Sequence, residues 1–283
     1  MGKIEQETRF ILKKYNISAN KSLGQNFLIS DDVVDGIVEE SEVGNNDLII
    51  EIGPGLGTLT AKLLEKAGRV VAVELDNRMI SILNERFALY NNFELIHNDI
   101  LKIDLHELIN KEKQEYNLSK VKIVANLPYY ITTPIIMKLL EDRLDIESIT
   151  VMVQKEVAKR LTAECSSKLA GAITYSVEYY SEAEEIVEVP KESFIPSPEV
   201  DSEVIKLTLR KEPKVKVKSE EMLFKLIKAS FMQRRKTFIN GVTNGGLTSK
   251  EKIKEILNKL EIEENVRGEN LTLEQFAQIS DMI

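Results

Sequence analysis

The sequence has 283 residues, with 38 Lys or Arg against 46 Asp or Glu, which gives a net charge of −8. Its 43% hydrophobic and 30% charged content suits one large domain and one small domain. No run of about 18 apolar residues offers a membrane span, and the first residues lack a signal-peptide profile, so we expect a cytoplasmic protein. A single cysteine, Cys165, excludes an internal disulfide and a cysteine-cluster metal site.

After an N-terminal segment of residues 1–46, short apolar runs alternate with helical patterns as far as residue 210. Candidate strands lie at residues 48–52, 70–74, 93–97, 122–126, 149–153, 185–189 and 200–209. The first four are nearly continuous apolar runs, which is typical of parallel strands covered by helices on both faces. The pattern predicts an α/β fold with a Rossmann-like parallel sheet, and its last two strands form an antiparallel hairpin.

Only helical periodicity follows this sheet pattern. Residues 211–218 are rich in lysine and read as a linker, and residues 219–283 predict a small all-helical domain. Thr248 with Glu251, and Thr272 with Gln275, have the spacing of a capping box ahead of an apolar run. We therefore predict a catalytic domain of residues 1–210, a linker, and a helical domain.

The charge is uneven along the chain. Residues 206–240 hold eleven Lys or Arg against three Glu, a local charge of +8 in an otherwise acidic protein. Because phosphate binding depends on the local potential, this basic stripe favours contact with nucleic acid. A solvated linker and helix face is the alternative interpretation.

A glycine-rich loop, residues 53–57, follows the first predicted strand and precedes a helix. Gly53 and Gly55 let the backbone turn sharply beside a ligand. A dinucleotide fingerprint places its third glycine three residues after the second, whereas here the interval is two and Pro54 removes an amide donor. The loop predicts a ligand without a pyrophosphate and disfavours a dehydrogenase; a tight turn without any ligand is the alternative.

Two carboxylates follow the next two predicted strands. Glu74 ends the second strand, where a carboxylate accepts the hydroxyl groups of a ribose, and Asp99 follows the third, where it can accept a hydrogen bond from an adenine amine. The ends of parallel strands meet at one edge of the sheet. Together these residues predict an adenosine cofactor without phosphates, S-adenosylmethionine, with S-adenosylhomocysteine as its product.

Asn126-Leu127-Pro128-Tyr129 ends the fourth predicted strand. It resembles the motif of class I methyltransferases that modify exocyclic amines, in the form of the rRNA adenine N6-dimethyltransferases. The resemblance implies that Asn126 borders the cofactor and that its side chain, with the Leu127 carbonyl, accepts both N–H bonds of the target amine. Pro128 would fix the turn, and Tyr129 would stack on the base.

Other blocks extend the resemblance over nearly the whole chain. Residues 21–28 are similar to an N-terminal block in which the positions of Asn26 and Leu28 touch the cofactor. Residues 192–201 also match, which implies that Phe194 is a second aromatic wall around the base, with core packing as the alternative. Residues 231–237 and 267–276 resemble the enzymes that dimethylate small-subunit rRNA.

The resemblance implies a substrate and partners. The enzyme would dimethylate two adjacent adenosines near the 3′ end of 16S rRNA, in a precursor small ribosomal subunit, as a monomer without a metal. Arg234, Arg235 and Lys236 would hold RNA phosphates. Two alternatives stay open: an Erm-type 23S rRNA dimethyltransferase that confers macrolide resistance, and a mainly non-catalytic assembly factor of the small subunit.

Overall fold

The computed structural model describes residues 2–20, 23–233 and 235–283. The chain divides into two compact units, Met1–Ala158 with Glu184–Leu209, and Lys159–Ala183 with Arg210–Ile283. Residues 159–183, which the sequence analysis placed in the first domain, thus group with the C-terminal residues.

The first unit contains most of the elements that surround the candidate site. Its helices are α1 (Lys3–Lys14), α2 (Asp31–Glu40), α3 (Thr58–Lys66), α4 (Asn77–Phe87), α5 (Leu105–Tyr116) and α6 (Thr132–Glu141). Its strands are β1 (Phe27–Leu28), β2 (Asp47–Ile52), β3 (Arg69–Glu74), β4 (Phe93–His97), β5 (Lys120–Asn126), β6 (Ser148–Gln154), β8 (Phe194–Ile195) and β9 (Ser202–Leu209). Helix α7 (Lys155–Leu161) and strand β7 (Ser181–Val189) cross the two unit boundaries.

Seven strands form one sheet in the order β4-β3-β2-β5-β6-β9-β7. The strands from β4 to β6 in this order run parallel, and β9 is antiparallel to β6. This confirms the predicted α/β class. Strand β7 begins at Ser181, four residues before the predicted start at residue 185. Its first residues are rich in glutamate, which hides the strand pattern in the sequence, and an edge strand tolerates such charged side chains.

The apolar runs form the core of the sheet, as their composition predicts. Leu48, Ile49 and Ile50 of the central strand β2 are completely buried, and so are Val70 and Val71 of β3. Helices cover a parallel sheet on both faces, so no side of these strands meets water.

A second, two-stranded sheet was not predicted. Strand β1 pairs antiparallel with β8, with Phe27 opposite Ile195 and Leu28 opposite Phe194. Each strand has only two residues, too short for a periodic signal in the sequence. The pairing brings the N-terminal block beside a segment about 167 residues later in the chain.

The second unit adds α8 (Ala172–Tyr180), α9 (Glu220–Met232), α10 (Phe238–Asn244), α11 (Lys250–Lys259) and α12 (Leu273–Met282). Tyr175 of α8 is fully buried, and its ring packs 5.0 Å from that of Phe276 and 5.4 Å from that of Phe231. Its hydroxyl donates a hydrogen bond of 2.6 Å to the Leu271 carbonyl. These contacts explain why α8 belongs to this unit rather than to the first.

Two predicted helix starts can be compared with the structure. Thr272 and Gln275 form the predicted capping box at the start of α12. At α11 the prediction was wrong by one residue, because Ser249 rather than Thr248 accepts the hydrogen bond from the Lys252 amide. A serine beside a threonine offers two equivalent hydroxyls, and the backbone path selects between them.

Candidate active site

One cavity of the first unit collects every predicted cofactor and catalytic residue at the carboxyl edge of the sheet. Its lining includes residues from the glycine loop, the ends of β3 and β5, the turn after β4, and both strands of the small sheet. The predicted residues among them are Asn26, Leu28, Gly53, Gly55, Glu74, Asp99, Asn126, Leu127, Pro128, Tyr129 and Phe194.

The glycine loop joins β2 to α3 through left-handed backbone. Gly53 and Gly55 have φ values of +70° and +57°, a region that side chains rarely adopt. A Cβ atom at Gly53 would lie 3.9 Å from the Asn126 main-chain oxygen, so the loop runs beside the end of β5. The local turn that glycine permits therefore places the loop against the predicted catalytic residue.

Glu74, the last residue of β3, is held by backbone amides. Its Oε1 accepts hydrogen bonds from the amides of Leu75 and Asp76, at 2.7 and 2.8 Å, and its Oε2 accepts one from Gly55 at 3.1 Å. Burial raises the pKa of this carboxyl, and the three N–H donors oppose the shift. The amides fix the orientation of the carboxylate at the cavity wall.

Asp99 lies two residues beyond the end of β4, at the start of a 3₁₀ turn, Ile100–Lys102. Its Oδ1 accepts a hydrogen bond of 3.0 Å from the Leu101 amide, as in a helix cap. The second oxygen lies 4.0 Å from the Lys102 ammonium, a long contact. One carboxylate oxygen thus orients the side chain, and the other stays available to a ligand.

The motif at the end of β5 turns directly into α6. Asn126 is the last strand residue, and Leu127 is buried. The Pro128 carbonyl accepts hydrogen bonds from the Ile131 amide and from the Thr132 hydroxyl, both at 3.1 Å. Within the described part of the chain, the Asn126 side-chain amide has no hydrogen-bond partner. The turn therefore presents this amide with its carbonyl oxygen unused.

Tyr129 is anchored through its hydroxyl, which lies 2.7 Å from the Ser202 hydroxyl at the start of β9. Burial raises the pKa of Tyr129, and the hydrogen bond with Ser202 opposes the shift. Phe194 is buried on β8 and lines the same cavity. Two aromatic side chains from distant segments thus border one space.

The N-terminal block is tied to the loop after β3. Gln25 Nε2 donates a hydrogen bond of 2.8 Å to Asp76 Oδ2, and Arg78 bonds both Asp76 and the Gln25 carbonyl oxygen. Burial and these donors act in opposite directions, and the bond from Arg78 dominates, so the pKa of Asp76 is lowered. This network positions Asn26, whose Nδ2 donates to the Gly24 carbonyl at 3.3 Å.

Sequence reasoning missed Glu51 of β2, which is 1% exposed and lines the cavity. Its Oε2 has no hydrogen-bond partner among the described residues. Burial raises the pKa of this carboxyl to about 8, and the neighbouring Glu74 carboxylate adds to the shift. A charged residue inside an apolar strand is the sequence signal that could have identified it.

The charge of the lining is the main electrostatic feature of the cavity. It holds the carboxyl groups of Glu51, Glu74 and Asp99, and in the described chain no Lys, Arg or His lines it. Such a cavity favours a cationic ligand and repels a phosphate. No group of three or more His, Cys, Asp or Glu in the described residues could hold a metal ion, and no described helix is long and apolar enough to cross a membrane.

Arg235 and Lys236 of the predicted RNA-binding cluster belong to the second unit, whereas the cavity belongs to the first. Arg234 lies outside the described residues. Arg235 and Lys236 are exposed, and neither has an ion pair with another described residue. Five other cations of the basic stripe are paired with acids: Lys206 with Glu42, Arg210 with Glu182, Lys214 with Glu178, Lys216 with Glu212, and Lys225 with Glu221.

The chain is similar to known proteins over nearly its whole length. A family model described as ribosomal RNA adenine dimethylase matches residues 16–283. Proteins named ribosomal RNA small subunit methyltransferase A are 47% identical in Geobacillus sp. (strain WCH70) and 48% identical in Bacillus pumilus (strain SAFR-032). Each alignment covers 98% of this chain and 95% of the relative.

Two solved structures resemble the fold. A dimethyladenosine transferase from Plasmodium falciparum superposes with a TM-score of 0.74 and 25% identity, over 89% of this chain and 95% of the other. The 23S rRNA methyltransferase ErmE superposes with a TM-score of 0.68 and 23% identity, over 91% of this chain and 99% of the other. At that identity the second likeness concerns the fold alone.

Proposed function

The chain belongs to the ribosomal RNA adenine dimethylase family, and we propose that its substrates are two adjacent adenosines in the 3′-terminal hairpin loop of 16S rRNA. It is an rRNA adenine N6-dimethyltransferase that uses S-adenosylmethionine. The relatives at 47–48% identity are named for the small ribosomal subunit. Those names favour this substrate over the 23S rRNA of the Erm alternative.

The names of the relatives carry the choice of 16S rRNA, and the charge and composition of the cavity support the cofactor. S-adenosylmethionine has a sulfonium and an ammonium group and no phosphate, so it fits a lining with three carboxyl groups and no cation among the described residues. Glu74 would accept the ribose hydroxyls, and Asp99 the adenine amine.

S-adenosylmethionine, when bound, supplies an electrophilic methyl group. The chain has to make the adenine amine nucleophilic, because its lone pair is delocalised into the ring. Asn126 Oδ1 and the Leu127 carbonyl would accept its two N–H bonds, which leaves the lone pair directed away from both acceptors. The methylated ammonium product is strongly acidic, so this step needs no strong general base.

Tyr129 and Phe194 would hold the adenine ring between them. A base has to leave its stack to enter such a cavity, and bases in a hairpin loop are already partly unstacked. The hydrogen bond to Ser202 would keep the Tyr129 ring in the orientation that receives the base.

Arg235 and Lys236, together with Arg234, would contact phosphates of the rRNA outside the cavity. Phosphate contacts position a nucleic acid without reading its bases. The precursor small subunit as the form of the substrate, the cytoplasmic location and the monomeric state stay predictions.

The test is methyl transfer to unmethylated small-subunit particles, with the modified nucleotides mapped by mass spectrometry. The wild-type protein should place two methyl groups on each of two adjacent adenosines. The Asn126→Ala variant should lose about 100-fold or more in the single-turnover rate, with cofactor affinity little changed. Asn91→Ala, at an exposed position in the turn before β4, is the matched control.

Two outcomes would contradict the proposal. Methylation of 23S rRNA without methylation of the small-subunit particle would favour the Erm alternative. A near-normal rate in the Asn126→Ala variant would remove this side chain from the reaction.

A further inference from the structure

Tyr130 is an exposed aromatic residue at the same cavity. It follows the motif that ends β5, lines the cavity, and remains 59% exposed. The adjacent Tyr129 differs, since it is half-buried and its hydroxyl is bonded to Ser202. Tyr130 has no hydrogen-bond partner in the described part of the chain, so neither burial nor a polar contact explains an aromatic side chain at this position.

The ring of Tyr130 lies beside Gly24 of the N-terminal block. A Cβ atom built on Gly24 would lie 3.4 Å from Tyr130 Cδ1 and 3.7 Å from both Tyr130 Cε1 and Pro128 Cβ. Gly24 has φ = +59°, which disfavours any other residue. One edge of the Tyr130 ring thus lies close to Gly24, and the exposure of the side chain leaves the rest of the ring open at the rim of the cavity.

We propose that Tyr130 and Gly24 form a second nucleobase subsite, which stacks the base next to the adenosine inside the cavity. This inference rests on the proposed function. A nucleotide is joined to its neighbour by a single phosphodiester, so the neighbouring base has to leave the cavity at its rim. Exposed aromatic rings bind unstacked RNA bases by their faces, whatever the base.

The subsite has a consequence for a substrate with two adjacent targets. While one adenosine occupies the cavity, the other stacks on Tyr130, and the pair can exchange places when the strand shifts by one nucleotide. Tyr130 would act on substrate binding and not on the methyl transfer step, since it does not belong to the acceptor pair at Asn126 and Leu127.

The experiment uses an RNA hairpin in which 2-aminopurine replaces one of the two adenosines. 2-Aminopurine lacks the N6 amine, so only the remaining adenosine can accept a methyl group. The fluorescence of 2-aminopurine falls when this base stacks on an aromatic ring. With wild-type protein and with Tyr130→Phe we expect quenching on binding. With Tyr130→Ala the bound hairpin should be at least twofold brighter, and KM for the hairpin should rise about tenfold.

The controls separate this subsite from other roles. The kcat and the affinity for S-adenosylmethionine, measured by calorimetry, should stay within twofold in Tyr130→Ala. Tyr90→Ala, which removes a 41% exposed tyrosine outside the cavity lining, should leave fluorescence and KM unchanged. Far-UV circular dichroism checks that every variant folds.

Three results would overturn the inference. Equal fluorescence in the wild-type and Tyr130→Ala complexes would show that the base does not stack on this ring. If Tyr130→Ala lost affinity for S-adenosylmethionine while its KM for RNA stayed unchanged, Tyr130 would contact the cofactor instead of a base. Failure of the wild-type protein to methylate small-subunit particles would refute the proposed function, and the subsite with it.

Discussion

Replacing Glu51 by glutamine tests whether this buried carboxyl is neutral before a ligand binds. Its pKa is raised from 4.5 to about 8 by burial, while in the unfolded chain the group ionises near its ordinary value. As the pH rises between these values, the unfolded state releases a proton that the folded state keeps. The free energy of unfolding of the wild type therefore falls over this range. The Glu51→Gln variant should not show this decrease, because glutamine resembles the neutral acid and does not ionise.

The magnitude follows from the difference between the two pKa values. Each pH unit between them costs about 1.4 kcal/mol, so the full cost reaches about 5 kcal/mol above pH 8. Between pH 6 and pH 8 the stability advantage of Glu51→Gln over the wild type should grow by about 2 kcal/mol. At pH 5 the two proteins should differ by about 1 kcal/mol or less.

Urea unfolding without cofactor, at pH 5, 6, 7 and 8, measures this difference. The chain has no tryptophan, so far-UV circular dichroism is the signal. Glu65→Gln, at an exposed position on α3, is the matched control and should shift stability by a constant amount. A constant difference between Glu51→Gln and the wild type over this range would show that Glu51 is already ionised in the folded protein, and the reasoning would fail.

Three further variants test the site and the basic cluster. Glu74→Ala should weaken S-adenosylmethionine binding by about 1–3 kcal/mol, because ribose hydroxyls lose their acceptor; unchanged affinity in calorimetry would remove Glu74 from the site. Ser202→Ala and Tyr129→Phe should each raise KM for RNA by a similar factor. The KM of the double variant should be no higher than that of either single variant, since both substitutions remove the same hydrogen bond. Additive effects on KM would contradict this. Neutralising Arg235 and Lys236 should lower the log–log salt slope of subunit binding by about 0.7–0.9 per lost phosphate contact, with cofactor affinity constant. An unaltered slope in filter binding would place the RNA contacts elsewhere.

Local sequence patterns determined the fold class and the positions of the predicted site residues along the strands. Apolar runs such as residues 48–52 predict buried parallel strands because no polar side chain except Glu51 interrupts them. The carboxyl ends of such strands meet at one edge, so the order of strands and helices along the chain is enough to predict that Glu74 and Asn126 lie near each other. The glycine spacing favoured a ligand without a pyrophosphate for an equally local reason, the path of the backbone.

Only the tertiary structure decided which distant segments meet. The pairing of β1 with β8 brings Phe194 to the cavity, and the contact of Tyr129 with Ser202 joins residues 73 positions apart. Neither interaction leaves a periodic signal, because each depends on a few atoms brought together by packing. The ionisation of Glu51 and the ion pairs of the basic stripe were undecided for the same reason: the charge of a group depends on its neighbours in space.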